Sequence, residues 1–391
     1  MTIITHEVGN ITTSEAILPN WWREVDQTSF FAVVILLVVG CILSFTATPP
    51  LAERLGKAHF ALAYKHVFYA IISLLIMWWV STLKPKTARR LTCIIFVGVF
   101  VALVILPLIG TQHGKGSTRW LSLGFYSFQP SEFLKPSLVV VSAWLMCGQF
   151  DHNRHPGVLV SFILTSICVA LLMIQPDLGQ SITVIIGWSA VYFAAGASIP
   201  MIGLILAITI GCGILAYIQF DHVKARIDAF IESNFGSPDS SGGIAEPMTQ
   251  VGFSQQAIGN GGIDGTGLGN GVVKWYLPDG HNDFIIAVAA EEFGLIFVLI
   301  ISLLFLVIGV LTLKRLNQQK DYFMRFAGTG LIITFCAQVF INLAVAVELS
   351  PAKGMTLPFI SYGGSSLMSV GLTLGLILCF SRQHNKASIT E

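Results

Sequence analysis

Charge is what this sequence has least of. Of its 391 residues only 11% are Asp, Glu, Lys or Arg, while 54% are hydrophobic. A soluble domain carries roughly 25% charged residues, so an ordinary water-soluble globule is excluded. The formal net charge is +1. Without a basic excess there is no electrostatic footprint for nucleic acid, and no such partner is expected. The cysteines are Cys41, Cys93, Cys147, Cys168, Cys212, Cys336 and Cys379, each inside an apolar run and none in a C-x-x-C pair. That excludes a disulfide scaffold or zinc ribbon and leaves small packing residues. G-x-G-x-x-G is absent, and His113-Gly114-Lys115-Gly116 lacks the Ser or Thr of a phosphate loop. The first apolar run is too long for the core of a secretory leader, so none is expected. No internal repeat or low-complexity tract stands out.

What is present is a series of apolar segments of about 20 residues, the length that crosses a bilayer. They are Phe30–Thr48, Ala63–Leu83, Leu91–Gly110, Phe133–Phe150, Gly157–Gln175, Gln180–Ala197, Pro200–Phe220, Phe284–Leu313, Phe326–Leu349 and Leu357–Ser381. The expected fold is an all-α integral membrane protein of ten transmembrane helices, with a long extracytoplasmic loop between helices 7 and 8. Basic residues in short loops set orientation. Lys84, Lys86, Arg89 and Arg90, then Lys314, Arg315, Lys320 and Arg325, then Arg382 and Lys386 share one side if there are ten spans. Both termini are then cytoplasmic. Residues 1–28 form a cytoplasmic tail, 29–382 the membrane domain with its outer loop at about 221–282, and 383–391 a second tail. Trp21 and Trp22 suit a membrane interface. Taken as one helix, Asp283 to Leu313 would run roughly 46 Å against a hydrocarbon core of about 30 Å. Asp283 to Glu292 is therefore placed at the interface and the deep span after Gly294.

Several stretches can carry chemistry, and each has a plainer alternative. In W-Y-L-P-D-G-H-N-D-F, Trp275 to Phe284, His281 and Asp283 stand at the mouth of an apolar helix. Acidic groups there are costly unless paired, solvated or used. Asp283 is either a general base or an N-cap. Glu291 lies about 80° around such a helix from Asp283 and Glu292 nearly opposite, so at most one shares a site with it. In Gly116 to Pro136, Arg119, Glu132 and Lys135 mix with aromatics in a way that suits a segment lying in the interface. Ser131 can cap the following helix, and Glu132 can simply pair with Lys135. Asp177, in Gln175-Pro176-Asp177-Leu178-Gly179, is a helix cap or a site residue. The glycines at 262, 265, 267, 269 and 271 permit close backbone approach to a ligand, or form a slack linker. His152 and His155 are spaced for a metal but have no third ligand nearby, so a solvated turn is the alternative. Gly363-Gly364-Ser365-Ser366 permits close helix packing or backbone irregularity beside a cavity.

Together these stretches resemble the SEDS family, the shape, elongation, division and sporulation proteins. R-W-L-x-L-G-x-x-x-F-Q-P-S-E, Q-P-D-L-G, A-I-G-x-G-G-x-x-G-x-G-L-G, H-N-D-F-I and P-F-I-S-Y-G-G-S-S occur in the family's order over nearly the whole chain. Lys353-Gly354-Met355-Thr356-Leu357-Pro358 is similar to the division members' K-G-L-T-L-P, which favours them over elongation members. Ser350-Pro351-Ala352 and Asn282 depart from the common division pattern without removing an ionisable group.

The resemblance implies an inner-membrane, septal glycosyltransferase that joins lipid II units into β-1,4 glycan strands. The leaving group is undecaprenyl pyrophosphate and the mechanism is inverting. It implies that Asp283 is essential and catalytic, with Arg119, Glu132, Lys135, Asp177, Gly262, Gly267, His281, Lys353 and Ser361 as substrate-binding candidates. No metal ligand is assigned and no cofactor is certain. A divalent cation, magnesium or manganese, held by the diphosphate is an option beside cationic side chains. Expected partners are lipid II, the growing strand, a class B penicillin-binding protein and other divisome membrane proteins. Gly328, Gly330, Ala337 and Ala344 are offered as small residues for a partner helix, or for this chain's own helices. The rival functions are a lipid II flippase and a non-catalytic divisome scaffold.

Overall fold

A backbone in hydrocarbon must satisfy its own N–H and C=O groups, so the apolar runs fold as helices. The computed structural model describes residues 17–112, 118–122, 127–148, 156–196, 199–219, 250–350 and 354–383, with positions 224, 227, 228 and 231. In chain order the helices are α1 (Ile17–Glu24), α2 (Gln27–Ala47), α3 (Pro49–Arg54), α4 (Ala61–Thr82), α5 (Pro85–Ile109), α6 (Pro130–Cys147) and α7 (Gly157–Ile174). They continue with α8 (Leu178–Ala194), α9 (Ile199–Gln219), α10 (Gln250–Gly261), α11 (Ile285–Asn317), α12 (Tyr322–Ala346) and α13 (Gly364–Phe380). Among them α2, α4, α5, α7, α11 and α12 are long and apolar enough to cross a membrane, and α8 and α13 are shorter apolar helices. The chain is a mostly helical, multi-pass membrane protein. Leu295, Leu299, Leu303 and Leu306 of α11 stay exposed along one face, which suits lipid and not water.

Local chemistry sets the ends. Asp26 caps α2, accepting from Ser29 Oγ at 2.7 Å, and lies 3.2 Å from the Arg315 guanidinium. Asp321 caps α12 through the N–H groups of Phe323 and Met324. Pro85 and Pro130 open α5 and α6, where a missing N–H costs nothing. Helices α4 and α13 pack closely because glycine lets them: a Cβ at Gly371 would lie 2.5 Å from the Ser73 carbonyl oxygen.

Several expectations change. The all-α class is incomplete, because β1 (Thr111–Gln112), β2 (Thr118–Ser122) and β3 (Ser127–Phe128) form a small antiparallel sheet in the order β1-β2-β3. Leu121 faces Phe128 and Ser122 faces Ser127, so this stretch satisfies its backbone by pairing with itself. Ser131 is not the cap of α6; Gln129 holds that position. Phe284, and not Asp283, holds the N-cap of α11. Trp21 is buried and donates its indole N–H to Ser81 Oγ at 3.1 Å. Gly328 packs on Leu316 and Gly330 on Val139 and Val191, so these two serve this chain's own helices. Lys353, His113 to Gly116, His152, His155, residues 232–249 and both extreme tails lie outside the described residues.

Candidate active site

The site is built around a break in α11. Gly294 has φ 79° and ψ 175°, which divides the 33-residue helix and relieves the length mismatch read from the sequence. A positive φ with extended ψ is open to glycine and strained for other residues. Into that break the glycine segment docks as an ordered backbone. Thr266 and Gly267 donate their N–H groups to the carbonyls of Glu291 and Glu292 at 2.9 Å each, and Leu295 donates to Gly262 at 3.0 Å. A Cβ at Gly265 would fall 2.3 Å from the Glu292 carbonyl oxygen, and one at Gly261 would fall 1.9 Å from that of Ala290. Only glycine allows so close an approach. The slack-linker alternative is thereby set aside for residues 261–271.

Both glutamates beside the break hold the same segment. Glu291 Oε1 accepts from the N–H groups of Val272 and Val273 at 2.9 Å each. Glu292 Oε1 pairs with Lys274 Nζ at 2.6 Å, both side chains being buried, and Nζ also donates to the Gly269 carbonyl at 3.1 Å. A buried charge needs such partners. The segment so fixed runs through a 3₁₀ turn, Val273–Trp275, and then through residues 276–280 into His281-Asn282-Asp283.

Asp283 is partly buried at the start of α11, and a Cβ at Gly354 would lie 3.8 Å from its Oδ2. Its main chain is clamped from α12 and from the 354–362 segment. Asn342 Nδ2 donates to the carbonyls of Asp283 at 3.0 Å and Met355 at 2.7 Å. Ser361 Oγ donates to the Asn282 carbonyl at 2.6 Å and accepts from the Leu357 N–H at 2.8 Å. Tyr362 N–H donates to the His281 carbonyl at 3.0 Å. The aspartate thus sits on a turn whose flanking carbonyls are all held. Burial lowers the His281 imidazole below its ordinary value; Asp279 opposes this and Arg54 adds to it.

A buried polar network reaches the same place from α6 and α8. Lys135 Nζ contacts Glu132 Oε2 at 2.9 Å and donates to Gln338 Oε1 at 3.0 Å; Gln180 Nε2 donates to Glu132 Oε1 at 2.6 Å. Gln338 Nε2 donates onward to the Thr356 carbonyl at 2.9 Å, one residue beyond the carbonyl that Asn342 holds. Asp177, at the N-cap of α8, lies 3.9 Å from the Arg119 guanidinium, which also donates to the Gln175 and Pro176 carbonyls. Burial raises the Asp177 carboxyl; Arg119 pulls it back and Glu132 adds to the rise. One connected set of bonds therefore carries Lys135 to the segment that clamps Asp283.

Of the residues singled out from sequence, His281 and Asp283 share one turn, and Ser361 holds that turn through the Asn282 carbonyl. Glu132 and Lys135 join them through Gln338, while Arg119 and Asp177 form a neighbouring pair. Gly262 and Gly267 act at the Gly294 break. Gln180, Lys274, Gln338 and Asn342 join the site without belonging to any of the stretches singled out for chemistry. Gln338 and Asn342 did leave a signal: two amides four residues apart on an apolar helix share one face. Among the described residues no three His, Cys, Asp or Glu side chains gather as a metal site.

Comparison with known proteins agrees with this architecture. Residues 27–386 match the FtsW/RodA/SpoVE family, described as cell cycle proteins. A probable peptidoglycan glycosyltransferase FtsW of Caulobacter vibrioides is 40% identical over 378 residues, which cover 95% of this chain and 93% of that relative. The protein of the same name from Haemophilus influenzae is 34% identical over 370 residues, 90% of this chain and 89% of that one. A solved chain from work described as "Structural coordination of polymerization and crosslinking by a peptidoglycan synthase complex" superposes with a TM-score of 0.72 at 23% identity. The overlap covers 91% of this chain and 97% of that one, a likeness of fold. Helical architecture, ordered motifs and matched length together place the chain in the SEDS family, the FtsW/RodA/SpoVE cell cycle proteins.

Proposed function

We propose that this chain is a peptidoglycan glycosyltransferase of cell division that polymerises lipid II, with Asp283 as its general base. The observation that carries the assignment is the setting of Asp283: a carboxylate at the mouth of α11, with His281, Asn282 and Asp283 itself all held through their carbonyls. A sugar hydroxyl is a poor nucleophile, and a positioned carboxylate that takes its proton speeds attack by roughly 10²–10⁴-fold. The acceptor's 4-hydroxyl attacks the anomeric carbon of the lipid-linked donor and undecaprenyl pyrophosphate departs. Displacement at one face turns an α-linked donor into a β-1,4 bond. The leaving diphosphate needs positive charge and no acid, which distinguishes this chemistry from that of paired-carboxylate glycosidases. Arg119, Lys135 or Lys353, or a divalent cation held by the diphosphate, supplies that charge.

The wider reading has ten spans, both termini cytoplasmic, Asp283 on the outer face at the septum and a class B penicillin-binding protein as partner. A glycan strand needs cross-linking to become wall, which calls for a partner that cross-links it. Glu132, Asp177 and Asp283 all stand at or just before the starts of helices α6, α8 and α11, not at their middles. That placement supports chemistry at a membrane face over carriage through the bilayer. The test is polymerisation of lipid II by purified protein. Asp283→Ala should lose at least 100-fold in rate while keeping its insertion and its melting temperature in detergent. Near-parental polymerisation by a well-folded variant would remove the base assignment.

A further inference from the structure

The glycine segment, residues 262–276, leaves several large apolar side chains uncovered. Ile263, Leu268, Val272 and Tyr276 are each 61–65% exposed. The backbone beneath them is docked on α11, so the fold itself holds these side chains outward. The stretch contains two charged residues, Asp264 and Lys274. Lys274 is buried against Glu292 at 2.6 Å, which leaves Asp264 as the one exposed charge. Single apolar residues are ordinary on a surface, but four on one fixed segment with so little charge call for a cover.

The level of the segment in the bilayer follows from α11. Residues 285–292 are buried inside the protein, and from Leu295 onward one face of the helix is apolar and exposed. Lys314, also exposed, marks the far end of that face. From Leu295 to Lys314 a helix rises roughly 29 Å at about 1.5 Å per residue, which matches a hydrocarbon core of about 30 Å. Leu295 therefore stands at one boundary of the core. At that level Leu295 and Ile296 donate their N–H groups to the carbonyls of Gly262 at 3.0 Å and Ile263 at 3.5 Å. The other anchors of the segment are Glu291 and Glu292, at most roughly 6 Å further out along the helix. The interfacial layer of a bilayer is roughly 5–7 Å thick on each side. The segment is thus held within that layer, with much of its polar backbone already bonded to α11, as entry into lipid demands. Trp275 and Tyr276, both exposed, are the residue types that favour this layer.

We propose that residues 262–276 seat in the bilayer, with Ile263, Leu268, Val272 and Tyr276 reaching the upper acyl chains of the leaflet on the Asp283 side. The partner is the lipid surface itself. Continuity selects it: the Ile263 carbonyl packs on Gly294, directly beside Leu295 and Ile296, where the exposed face of the span begins. The segment then acts as a rest on the membrane that sets the height of the α11 break. The inference needs only that α11 crosses the bilayer, and it stands independently of the glycosyltransferase reading.

The test uses the full-length parent chain in vesicles of phosphatidylethanolamine and phosphatidylglycerol, doped with a phospholipid that carries a diazirine near the top of its acyl chain. On illumination the diazirine loses dinitrogen, and the carbene left behind inserts into whatever lies beside it. Peptide mass spectrometry reads the adducts, with residues 295–300 as the lipid-facing reference and the buried residues 285–292 as the blank. Labelling of 262–276 within threefold of the reference is expected. Labelling more than threefold below it overturns the proposal and leaves this face to water or to a protein partner. A second measurement places a bimane fluorophore on Leu268→Cys in an otherwise cysteine-free chain. Quenching by a lipid nitroxide at the same shallow depth should exceed quenching by aqueous iodide at least twofold, and a smaller ratio refutes the seat.

Discussion

Replacing Lys274 by Met removes one half of a buried ion pair and tests whether the glycine segment is what seats Asp283. Nζ lies 2.6 Å from Glu292 Oε1, with the two side chains 4% and 0% exposed. Met keeps the length and apolar stem but leaves the carboxylate without its cation. Breaking a buried pair from one side costs about 3–5 kcal/mol, because the remaining charge has no water to return to. A large chain loses on the order of 2 °C or less of melting temperature per kcal/mol, so a fall of about 5–10 °C is expected. The same change loosens the segment around Lys274, which Glu291 then holds only at Val272 and Val273 and which leads on toward the Asp283 turn. A displacement near 1 Å at a reacting group can cost about 100-fold in rate. Thermal unfolding in detergent and lipid II polymerisation read the two consequences. The double variant Lys274→Met, Glu292→Gln removes both charges and should recover more than half of the lost melting temperature. The reasoning fails if the single variant melts within 1 °C or so of the parent, or if the double variant melts no higher than the single.

Three further expectations follow from the same geometry. Gly294→Ala should destabilise the chain by about 1–3 kcal/mol of backbone strain at φ 79°. The new Cβ would also fall 2.1 Å from the Ile263 carbonyl oxygen, so an unchanged melting temperature would contradict the docked loop. Burial lowers His281, so as pH falls below about 6.5 the unfolded chain takes up that proton first and stability drops. The drop should be smaller in His281→Gln, and equal pH curves for the two proteins would argue against it. Finally, a cysteine placed at Ser240 in an otherwise cysteine-free chain should react with an impermeant thiol reagent from the periplasmic side. Labelling from the cytoplasmic side alone would reverse the proposed orientation.

The sequence alone determined the solvent and the general form. With 11% charge and long apolar runs, water cannot be the medium, and hydrocarbon forces the backbone into helices. It also showed that the eighth segment is too long for one span, since roughly 46 Å does not fit a core of about 30 Å, and set the deep span after Gly294; that the backbone breaks at Gly294 was decided by the docking of the glycine segment. Motif order carried the family. Tertiary structure decided what each polar residue holds. Glu291 and Glu292 read as possible site acids but fasten residues 272–274, and Lys274 drew no notice because its partner lies 18 residues away. Lys135 reaches Gln338 across 203 positions, and Asn342 clamps a carbonyl 59 positions upstream. Thr118 to Ser122 formed a strand because its pairing partners lay within reach in space. Local periodicity records which face of a helix is apolar. It holds no record of which distant donor meets which acceptor, because that is settled only when the helices pack and each buried polar group must find a partner.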